Sequence, residues 1–236
     1  MRISWEQLSH NIESCQACGL AAGCRRKVPG QGDPHAPLML IGEGPGEQED
    51  RQGLAFVGPA GQLLTRMLAA ISLPRDRVYI CNVVNCRPPN NRQPTPEEMA
   101  ACLPHLRGQV VLVRPRVILL LGATAVAAVL GPDERITRCR GRWFERKGTH
   151  IIATYHPSAL LRDPSKKRAA WEDLQSLRQR LTELSLYPDL LKEDRPCMPW
   201  TGFAGNARPF LRRWRLGRKS RWSLAMVRRT DRCSCW

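Results

Sequence analysis

The sequence predicts a three-layer α/β/α fold around a central, mostly parallel, four-stranded sheet. Four short runs are almost wholly apolar, at residues 37–42, 77–84, 116–122 and 149–154. Runs of this kind are typical of parallel strands that are covered on both faces. Amphipathic stretches lie between them, and the alternation of strands with helices favours a layered α/β domain.

Three helices are predicted between and after these strands. In residues 61–71 and 166–184 the apolar side chains recur at helical spacing. The helix that begins at Pro96 has the clearest start signal, because Thr95 can cap it and Glu98 completes a capping box. Ligands of such folds bind beyond the carboxyl ends of the strands, so the segments that follow the strands form the candidate site.

The chain is strongly basic. Its 236 residues include 37 Lys and Arg against 21 Asp and Glu, a net charge of +16. A charge of this size indicates a polyanionic partner, nucleic acid first and an anionic membrane second. There is no run of roughly 18 apolar residues, which excludes a membrane-spanning helix. The polar amino-terminal segment has no signal-peptide core, so we expect a cytoplasmic protein.

The positive charge is divided between two regions. Residues 1–185 carry a net charge of +8 and contain all the predicted strands and helices. Residues 186–236 carry another +8 and show no clear helical or strand period. We therefore predict one domain over residues 1–185 and a basic, disordered tail over residues 186–236. The tail is either an arm that strengthens non-specific DNA binding or an out-of-frame translation of GC-rich DNA.

Four of the ten cysteines have the spacing of metal ligands. Cys15 and Cys18 form a C-x2-C pair, which places two thiolates on one tight turn, and Cys86 and Cys102 can complete a four-ligand set. The spacing alone fits either a structural zinc site or an iron–sulfur cluster. Buried free thiols are the alternative, since free cysteines often pack as small hydrophobic side chains.

A glycine-rich turn, GEGPGEQED, follows the first strand at residues 42–50. It is neither a dinucleotide-binding G-x-G-x-x-G nor a P-loop, which disfavours nucleotide binding. Its glycines allow the backbone to approach a ligand closely. Phe56, in the next glycine-rich segment, is either a stacking platform or a core aromatic residue. Four carboxylates crowd the turn and indicate either site chemistry or a solvated acidic loop: Glu43, Glu47, Glu49 and Asp50.

Two polar residues lie where the other strands end. Asn82 stands within an apolar strand, where its amide is costly to bury without hydrogen bonds. An amide can also pair with the edge of a base. A lone histidine is more often structural than catalytic, but His156 follows the last strand and precedes Pro and Ser, which is more typical of a site residue.

The segment after His156 combines apolar and basic residues. Leu160 and Leu161 are followed by Arg162 and Lys166. An apolar tip flanked by cations can act as a wedge that enters a base stack. The alternative is a first helical turn whose leucines face the core.

Five motifs follow one another in order between about Cys15 and Leu184: C-x2-C-x-L, GEGPGEQED, GLAFVGPAGQLL, NVVNCRPPNNRQPTPEE and YHPSALLR. Together they resemble the iron–sulfur-containing family 4 uracil-DNA glycosylases of bacteria and archaea. The resemblance implies the uracil-DNA glycosylase superfamily fold and hydrolysis of the N-glycosidic bond of uracil in DNA. The abasic site that remains enters base-excision repair. The resemblance also implies a structural [4Fe–4S] cluster with four ligands: Cys15, Cys18, Cys86 and Cys102.

The resemblance implies how the uracil base is held. The base is flipped out of the DNA stack into a pocket, where Phe56 stacks on its ring. The Asn82 amide accepts a hydrogen bond from N3–H and donates one to O4. His156 donates to O2 as negative charge develops there.

The remaining implied roles belong to the glycine-rich turn and the DNA-facing segment. Glu43 orients the attacking water or stabilises the positively charged sugar. The better-known uracil glycosylases carry an Asp where this chain has Gly44. Glu49, or less favourably Glu47, fills the space of the thymine methyl group. The resulting set comprises catalytic Glu43 and His156; substrate-binding Gly42, Gly44, Glu49, Phe56, Asn82 and His156; and DNA-binding Leu160, Leu161, Arg162 and Lys166.

The expected partner is uracil-containing DNA, single- or double-stranded, bound by a monomer at the nucleoid with no membrane involved. One alternative is a broader glycosylase for deaminated bases such as hypoxanthine or xanthine. A second is a non-catalytic iron–sulfur or zinc protein that binds nucleic acid. A third, an electron carrier, would not need Asn82, Phe56 and His156 around one pocket.

Overall fold

The computed structural model describes residues 3–191 of the chain. All the predicted strands and helices lie within this range. Of the predicted tail, residues 186–191 are included, and residues 192–236 lie outside the described residues.

The centre of the fold is a six-stranded sheet in the order β1-β3-β2-β4-β6-β5. The four inner strands are parallel, as predicted, and the edge strands β1 and β5 are antiparallel to their neighbours. The strands are β1 Gln31–Gly32, β2 Leu38–Gly42, β3 Tyr79–Asn82, β4 Val117–Leu121, β5 Trp143–Arg146 and β6 Thr149–Thr154.

Both faces of the inner strands are buried, which explains their nearly continuous apolar sequences. In β2, Leu38 and Leu40 belong to one hydrophobic core, whereas Met39 and Ile41 belong to the other. Each strand alternates in this way, so the sheet separates two cores, and helices cover both of them. The predicted three-layer α/β/α fold is confirmed.

The helices complete the outer layers. Helices α4, α8 and α9 contribute to the core that contains Leu38, and α5 and α6 contribute to the core that contains Met39. The helices are α1 Trp5–Glu13, α2 Leu20–Gly23, α3 Glu47–Gln52, α4 Pro59–Ala70, α5 Pro96–Val113, α6 Ala123–Val129, α7 Ile136–Cys139, α8 Pro157–Arg162 and α9 Lys167–Glu183.

The start signal of α5 works as predicted. The Thr95 side chain accepts a hydrogen bond from the backbone N–H of Glu98, and Glu98 accepts one from the N–H of Thr95. Arg92 donates two hydrogen bonds to the same Glu98 carboxylate. The arginine beside Glu98 holds the pKa of that carboxyl below its usual range.

The sequence predicted a four-stranded sheet, and the structure adds two edge strands that were not predicted, β1 and β5. Strand β5 shows why. It is four residues long and only half-buried, so it carries no continuous apolar run. It joins β6 through a tight turn at Lys147 and Gly148, both of which have positive φ. The pairing of a short amphipathic strand at an edge depends on its neighbour rather than on its own sequence.

The segment after Ser185 packs against the domain. Tyr187 and Leu191 are buried in the core that contains Leu38. The Tyr187 hydroxyl donates to the carbonyl oxygen of Arg77 at 2.9 Å and accepts from the backbone N–H of Leu38 at 3.2 Å. The packed region therefore extends six residues beyond the boundary at 185 that the sequence suggested, to the end of the described residues.

Within residues 3–191, no helix combines the length and the apolar character needed to cross a membrane.

Candidate active site and cysteine cavity

A cleft of about 740 Å³ opens at the carboxyl ends of the inner strands. We call it the cleft. Its walls come from the segments that directly follow β2, β3, β4 and β6, together with the loop before α4. The parallel strands end at one edge of the sheet, so residues far apart in sequence meet there. The sequence-predicted residues that line it are Glu43, Gly44, Glu49, Phe56, Asn82, His156, Arg162 and Lys166.

Phe56 is held rigidly in the wall of the cleft. Its backbone has a φ of +53°, in the left-handed region that non-glycine residues rarely adopt. A Cβ at Gly61 would lie 1.9 Å from the Phe56 carbonyl oxygen, and a Cβ at Gly42 would lie 2.5 Å from the ring. The Phe56 and His156 rings lie with their centroids 5.7 Å apart. Two glycines thus give the ring its fixed place.

Asn82 ends β3 with a buried amide. Only 2% of the residue is exposed. Asn82 pairs with Gly42 across the sheet, and its Oδ1 would lie 2.5 Å from a Cβ at that position. Oδ1 is fully buried and accepts no hydrogen bond. A buried acceptor of this kind is costly, which indicates that a donor on a ligand satisfies it.

His156 caps the amino terminus of α8. Its Nδ1 accepts a hydrogen bond from the backbone N–H of Ser158 at 3.2 Å and lies 2.8 Å from the Ser158 hydroxyl. Since Nδ1 accepts, the neutral ring carries its proton on Nε2. Burial, and secondarily the charge of Arg162, lower the pKa of His156 to about 4. The imidazole is therefore neutral at pH 7 and retains one N–H.

Glu43 lies opposite, in the turn after β2. Its Oε2 accepts a hydrogen bond from the Thr124 hydroxyl, and Thr124 lies at the start of α6, just beyond β4. The backbone carbonyl of Glu43 accepts from Val84 at 3.2 Å. The Glu43 carboxylate is thus oriented by a residue from a different strand end.

Glu49 connects two walls of the cleft. Its Oε1 accepts from the backbone N–H groups of Val57 and Gly58 at 2.8 and 2.7 Å, and its Oε2 accepts from that of Gly46 at 3.1 Å. The residue is buried, whereas Glu47 is exposed and pairs with Arg51. Glu49 therefore lines the cleft while it fixes the Phe56 loop to the glycine-rich turn.

The two turn glycines are tightly packed. Gly42 leaves space for the Phe56 ring and the Asn82 amide, as described above. A Cβ at Gly44 would lie 2.8 Å from a methyl group of Val84. Gly44 also lines the cleft, whereas Gly42 lies behind the Phe56 ring. A larger side chain at Gly42 would therefore displace the Phe56 ring or the Asn82 amide.

The two leucines predicted to form a wedge differ in their exposure to solvent. Leu160 is fully buried in the core that contains Leu38, whereas Leu161 is 46% exposed. Of the pair, only Leu161 reaches the surface where DNA could be touched. Arg162 and Lys166 stand at the cleft, and Lys166 forms an ion pair with Asp163 at 3.1 Å.

The four predicted metal ligands line a second, much smaller cavity of about 20 Å³. We call it the cysteine cavity. Its walls come from the segment between α1 and α2, the loop after β3 and the second turn of α5, which supply Cys15, Cys18, Cys86 and Cys102. The backbone N–H of Asn85 donates to Cys102 Sγ at 3.3 Å. Among residues 3–191, no group of three or more His, Cys, Asp or Glu side chains is arranged to hold a metal ion.

Burial controls the chemistry of these thiols. It raises the pKa of Cys102 to about 11, and it also raises the pKa of Cys86, with a smaller contribution from a hydrogen bond with Cys24. A metal centre that binds here must displace the thiol protons. Cys81 and Cys139, by contrast, are completely buried in the core that contains Met39.

Sequence reasoning missed three polar residues of these sites: Thr124, Ser158 and Asn85. Thr124 follows a strand end in LGATAV, and Ser158 stands two residues after His156. Their position after a strand was the available signal. The contact of Thr124 with Glu43 is fixed only by tertiary packing, whereas the contact of Ser158 with His156 is local. Asn85 precedes Cys86, and nothing in its spacing marks it.

Comparison with known proteins agrees with this arrangement. The family model described as "Uracil DNA glycosylase superfamily" matches residues 29–175. The type-4 uracil-DNA glycosylase of Thermotoga maritima is 45% identical over 72% of this chain and 91% of its own length. Those of Sulfurisphaera tokodaii and Archaeoglobus fulgidus are each 40% identical, over 75% and 74% of this chain and 84% and 92% of their own lengths.

The family match covers the whole sheet from β1 to β6. The alignments with the three relatives extend over 176 to 185 residues. The chain therefore belongs to the uracil DNA glycosylase superfamily, among the type-4 uracil-DNA glycosylases.

Proposed function

We propose that this protein removes uracil from DNA by hydrolysing its N-glycosidic bond, and that the cleft is where the flipped base is held. The observation that carries the proposal is the buried Asn82 Oδ1, which has no hydrogen-bond donor within the described residues. It lies beside the Phe56 ring, so one planar ligand can stack on the ring and meet the amide with its edge.

The polarity of Asn82 favours uracil over cytosine. Uracil presents N3–H as a donor, which Oδ1 can accept. Cytosine presents an unprotonated N3 at the same position, so the buried acceptor would face a lone pair and stay unsatisfied. Sites that recognise a substrate through buried polar groups reject the mismatched analogue by roughly 10⁴–10⁵-fold.

His156 is arranged to stabilise the leaving base. Bond cleavage places negative charge on uracil O2, and the Nε2–H of a neutral imidazole can donate to that oxygen. Ser158 holds Nδ1 as the acceptor and so keeps the proton on Nε2. The low pKa of His156 makes it a hydrogen-bond donor rather than a proton source at pH 7.

Glu43 is the group that we propose orients the attacking water. Its carboxylate lies at the mouth of the glycine-rich turn, with one oxygen held by Thr124 and the other available. The negative charge of Glu43 also stabilises the positive charge that develops on the sugar as the base departs. The fixed orientation supports the water role, because a water needs one defined acceptor.

The rim supports binding of the DNA strand. Arg162 and Lys166 can contact phosphates around the extruded nucleotide, and the exposed Leu161 can fill the gap that the base leaves in the stack. Since one chain supplies every wall of the cleft, we expect the enzyme to act as a monomer. Because its substrate is DNA, we place it with the nucleoid in the cytoplasm.

We further propose that the cysteine cavity holds a [4Fe–4S] cluster. Four thiols from three separate segments line the cavity, and a backbone N–H already donates to one sulfur, which fits the thiolate ligands and N–H···S contacts of such clusters. When bound, the cluster supplies a cross-link between these segments rather than a chemical step. It ties the amino-terminal segment to the loop that follows Asn82.

Asn82→Asp tests the base-reading role. Single- and double-stranded oligonucleotides containing uracil are incubated with the enzyme, and abasic sites are then cleaved with alkali. We expect the rate of uracil excision to fall on the order of 10⁴-fold in this variant. The carboxylate cannot donate a hydrogen bond to O4, and its negative charge repels that oxygen.

Asn11→Asp, the same chemical change on the exposed face of α1, serves as the control and should excise uracil like the unaltered protein. If the unaltered protein releases no uracil, the proposed activity is wrong. If Asn82→Asp keeps full activity, the enzyme reads the base by other groups.

A further inference from the structure

Asn85, one of the residues that line the cysteine cavity, has a buried side-chain amide without a hydrogen-bond partner. The residue is 3% exposed, and both its Oδ1 and its Nδ2 are fully buried without a hydrogen-bond partner. A buried amide that loses its water and gains no new partner destabilises the folded protein. Such a group in a native site calls for a ligand that completes it.

The backbone of Asn85 fixes where this amide stands. Its carbonyl accepts from the N–H of Val28 at 2.7 Å, and its own N–H donates to Cys102 Sγ at 3.3 Å. The next residue is Cys86. Asn85 is thus held between two of the four ligands, and it lines the cavity that they surround.

The cavity walls offer the amide little else. The other lining residues are the cysteines, apolar side chains, Lys27 and His105. A sulfur-rich group bound in the cavity is therefore the closest available acceptor for a hydrogen bond from the Asn85 amide. This inference rests on the cluster proposed above and concerns a contact that the ligand set itself does not include.

We propose that Asn85 is a positioning residue for the cluster, and that its Nδ2–H donates a hydrogen bond to a sulfur of the bound [4Fe–4S] group. A donor to sulfur stabilises the more negative, reduced state of a cluster and raises its reduction potential. It also shields that sulfur from water and oxidants. The Nδ2–H group thus gains a partner that the described residues do not provide.

The test replaces the donor without changing the volume. Asn85→Leu removes both polar atoms from a site of similar size. We expect the variant to bind the cluster with a reduction potential more negative than that of the unaltered holoprotein. We also expect its visible absorbance to bleach several-fold faster in air.

Gln109→Leu is the matched control. Gln109 is an equally buried amide on α5 with an unpartnered Nε2, but it lies outside the cysteine cavity. Loss of its hydrogen bonds to Gly30 and Tyr79 lowers stability without touching the cluster. We expect its potential to equal that of the unaltered protein. An equal shift in both variants, or none in Asn85→Leu, overturns the proposal.

A second measurement needs no variant, in case Asn85→Leu does not fold. Holoprotein made with asparagine labelled with ¹⁵N in the side-chain amide is reduced by irradiation in the frozen state. Electron–nuclear double resonance should then show a ¹⁵N coupling, since Asn85 is the asparagine in the cavity wall. No coupling contradicts the proposal.

The outcomes separate this inference from the proposed function. Iron, sulfide and uracil excision are measured first on the unaltered protein. Absence of iron and sulfide would refute the cluster, and with it the acceptor for Asn85, whatever the activity. A loaded, active protein without the potential shift and the ¹⁵N coupling would refute the Asn85 contact alone.

Discussion

The cleft and the cysteine cavity contain the same kind of group in opposite settings. Asn82 and Asn85 are three residues apart, and each has a buried amide atom without a partner. Asn82 faces a cleft of about 740 Å³ that is open to solvent, whereas Asn85 faces a cavity of about 20 Å³. A large cleft suits a ligand that must enter and leave in each turnover. A small cavity lined by four thiols suits one that stays bound.

One short segment belongs to both sites. It leaves β3 at Asn82 and reaches Cys86 four residues later, with Val84 packed beneath Gly44 on the way. Within this segment, Asn82 lines the cleft and Cys86 lines the cysteine cavity. Changes confined to one site test how far the two are independent.

The largest effect is expected from the cavity side. Cys102→Ala removes one of the four proposed cluster ligands, so we expect loss of bound iron and a fall of several kcal/mol in the free energy of unfolding. Iron content, visible absorbance and thermal denaturation measure this.

Cys81→Ala is the control for Cys102→Ala, because Cys81 is also buried but packs in the core. It should retain iron and lose only about 1 kcal/mol. Equal iron content in the two variants would show that Cys102 is not a ligand.

On the cleft side, His156→Leu removes the group that we propose donates to uracil O2. We expect uracil excision to fall by roughly 10²–10³-fold, the usual loss when one oxyanion donor is deleted. Iron content should not change. A variant that loses iron as well as activity would show that the two sites are not independent.

The pH profile provides a second check on His156. Its pKa of about 4 lies below the usual value of about 6.5. The neutral donor therefore persists as the pH falls through 6.5, and the acid limb due to this group should appear near pH 4. A limb near pH 6.5 that disappears in His156→Leu would contradict the neutral-imidazole role.

Thr124→Val tests the orientation of Glu43 at nearly constant volume. Without the hydroxyl donor the carboxylate is free to turn, and we expect kcat to fall about 10-fold, equivalent to about 1.4 kcal/mol. Thr124→Ser keeps the donor and should recover most of the activity. Equal rates for Thr124→Val and Thr124→Ser would show that the Thr124 hydroxyl does not orient Glu43 for the reaction.

The smallest effect is expected at the rim. Leu161→Ala should lower excision from duplex DNA a few-fold and leave excision from single strands unchanged, because only a duplex has a stack to fill. Leu160→Ala should instead destabilise the fold by about 2–5 kcal/mol, since it empties a core position. A loss of duplex activity in Leu160→Ala without a loss of stability would reverse this assignment.

Much of the fold followed from local sequence. The four inner strands lie within the predicted runs, and α5 begins at its predicted cap, because strand burial and helix capping leave direct patterns in the sequence. Strand β5 did not follow, since its pairing depends on β6.

The candidate site shows a similar division. Residues after strand ends met at one edge, as a parallel sheet requires, so Glu43 and His156 could be placed in one cleft. Phe56 follows no strand, and its place in the cleft was implied only by the resemblance to the family. Which of Leu160 and Leu161 faces solvent depends on how α8 packs, and so does the contact of Thr124 with Glu43. The sequence alone does not show which of two adjacent leucines in one motif faces solvent.

The anchoring of Tyr187 has a practical consequence for anyone shortening this chain for expression. Its hydroxyl bridges the start of β2 and the backbone before β3, and Arg77 also pairs with Asp189 at 3.0 Å. A product that stops at residue 185 would remove these contacts from strands that lead directly to Glu43 and Asn82. A stop codon placed after Leu191 keeps them, and any defect it then shows can be traced to the basic segment.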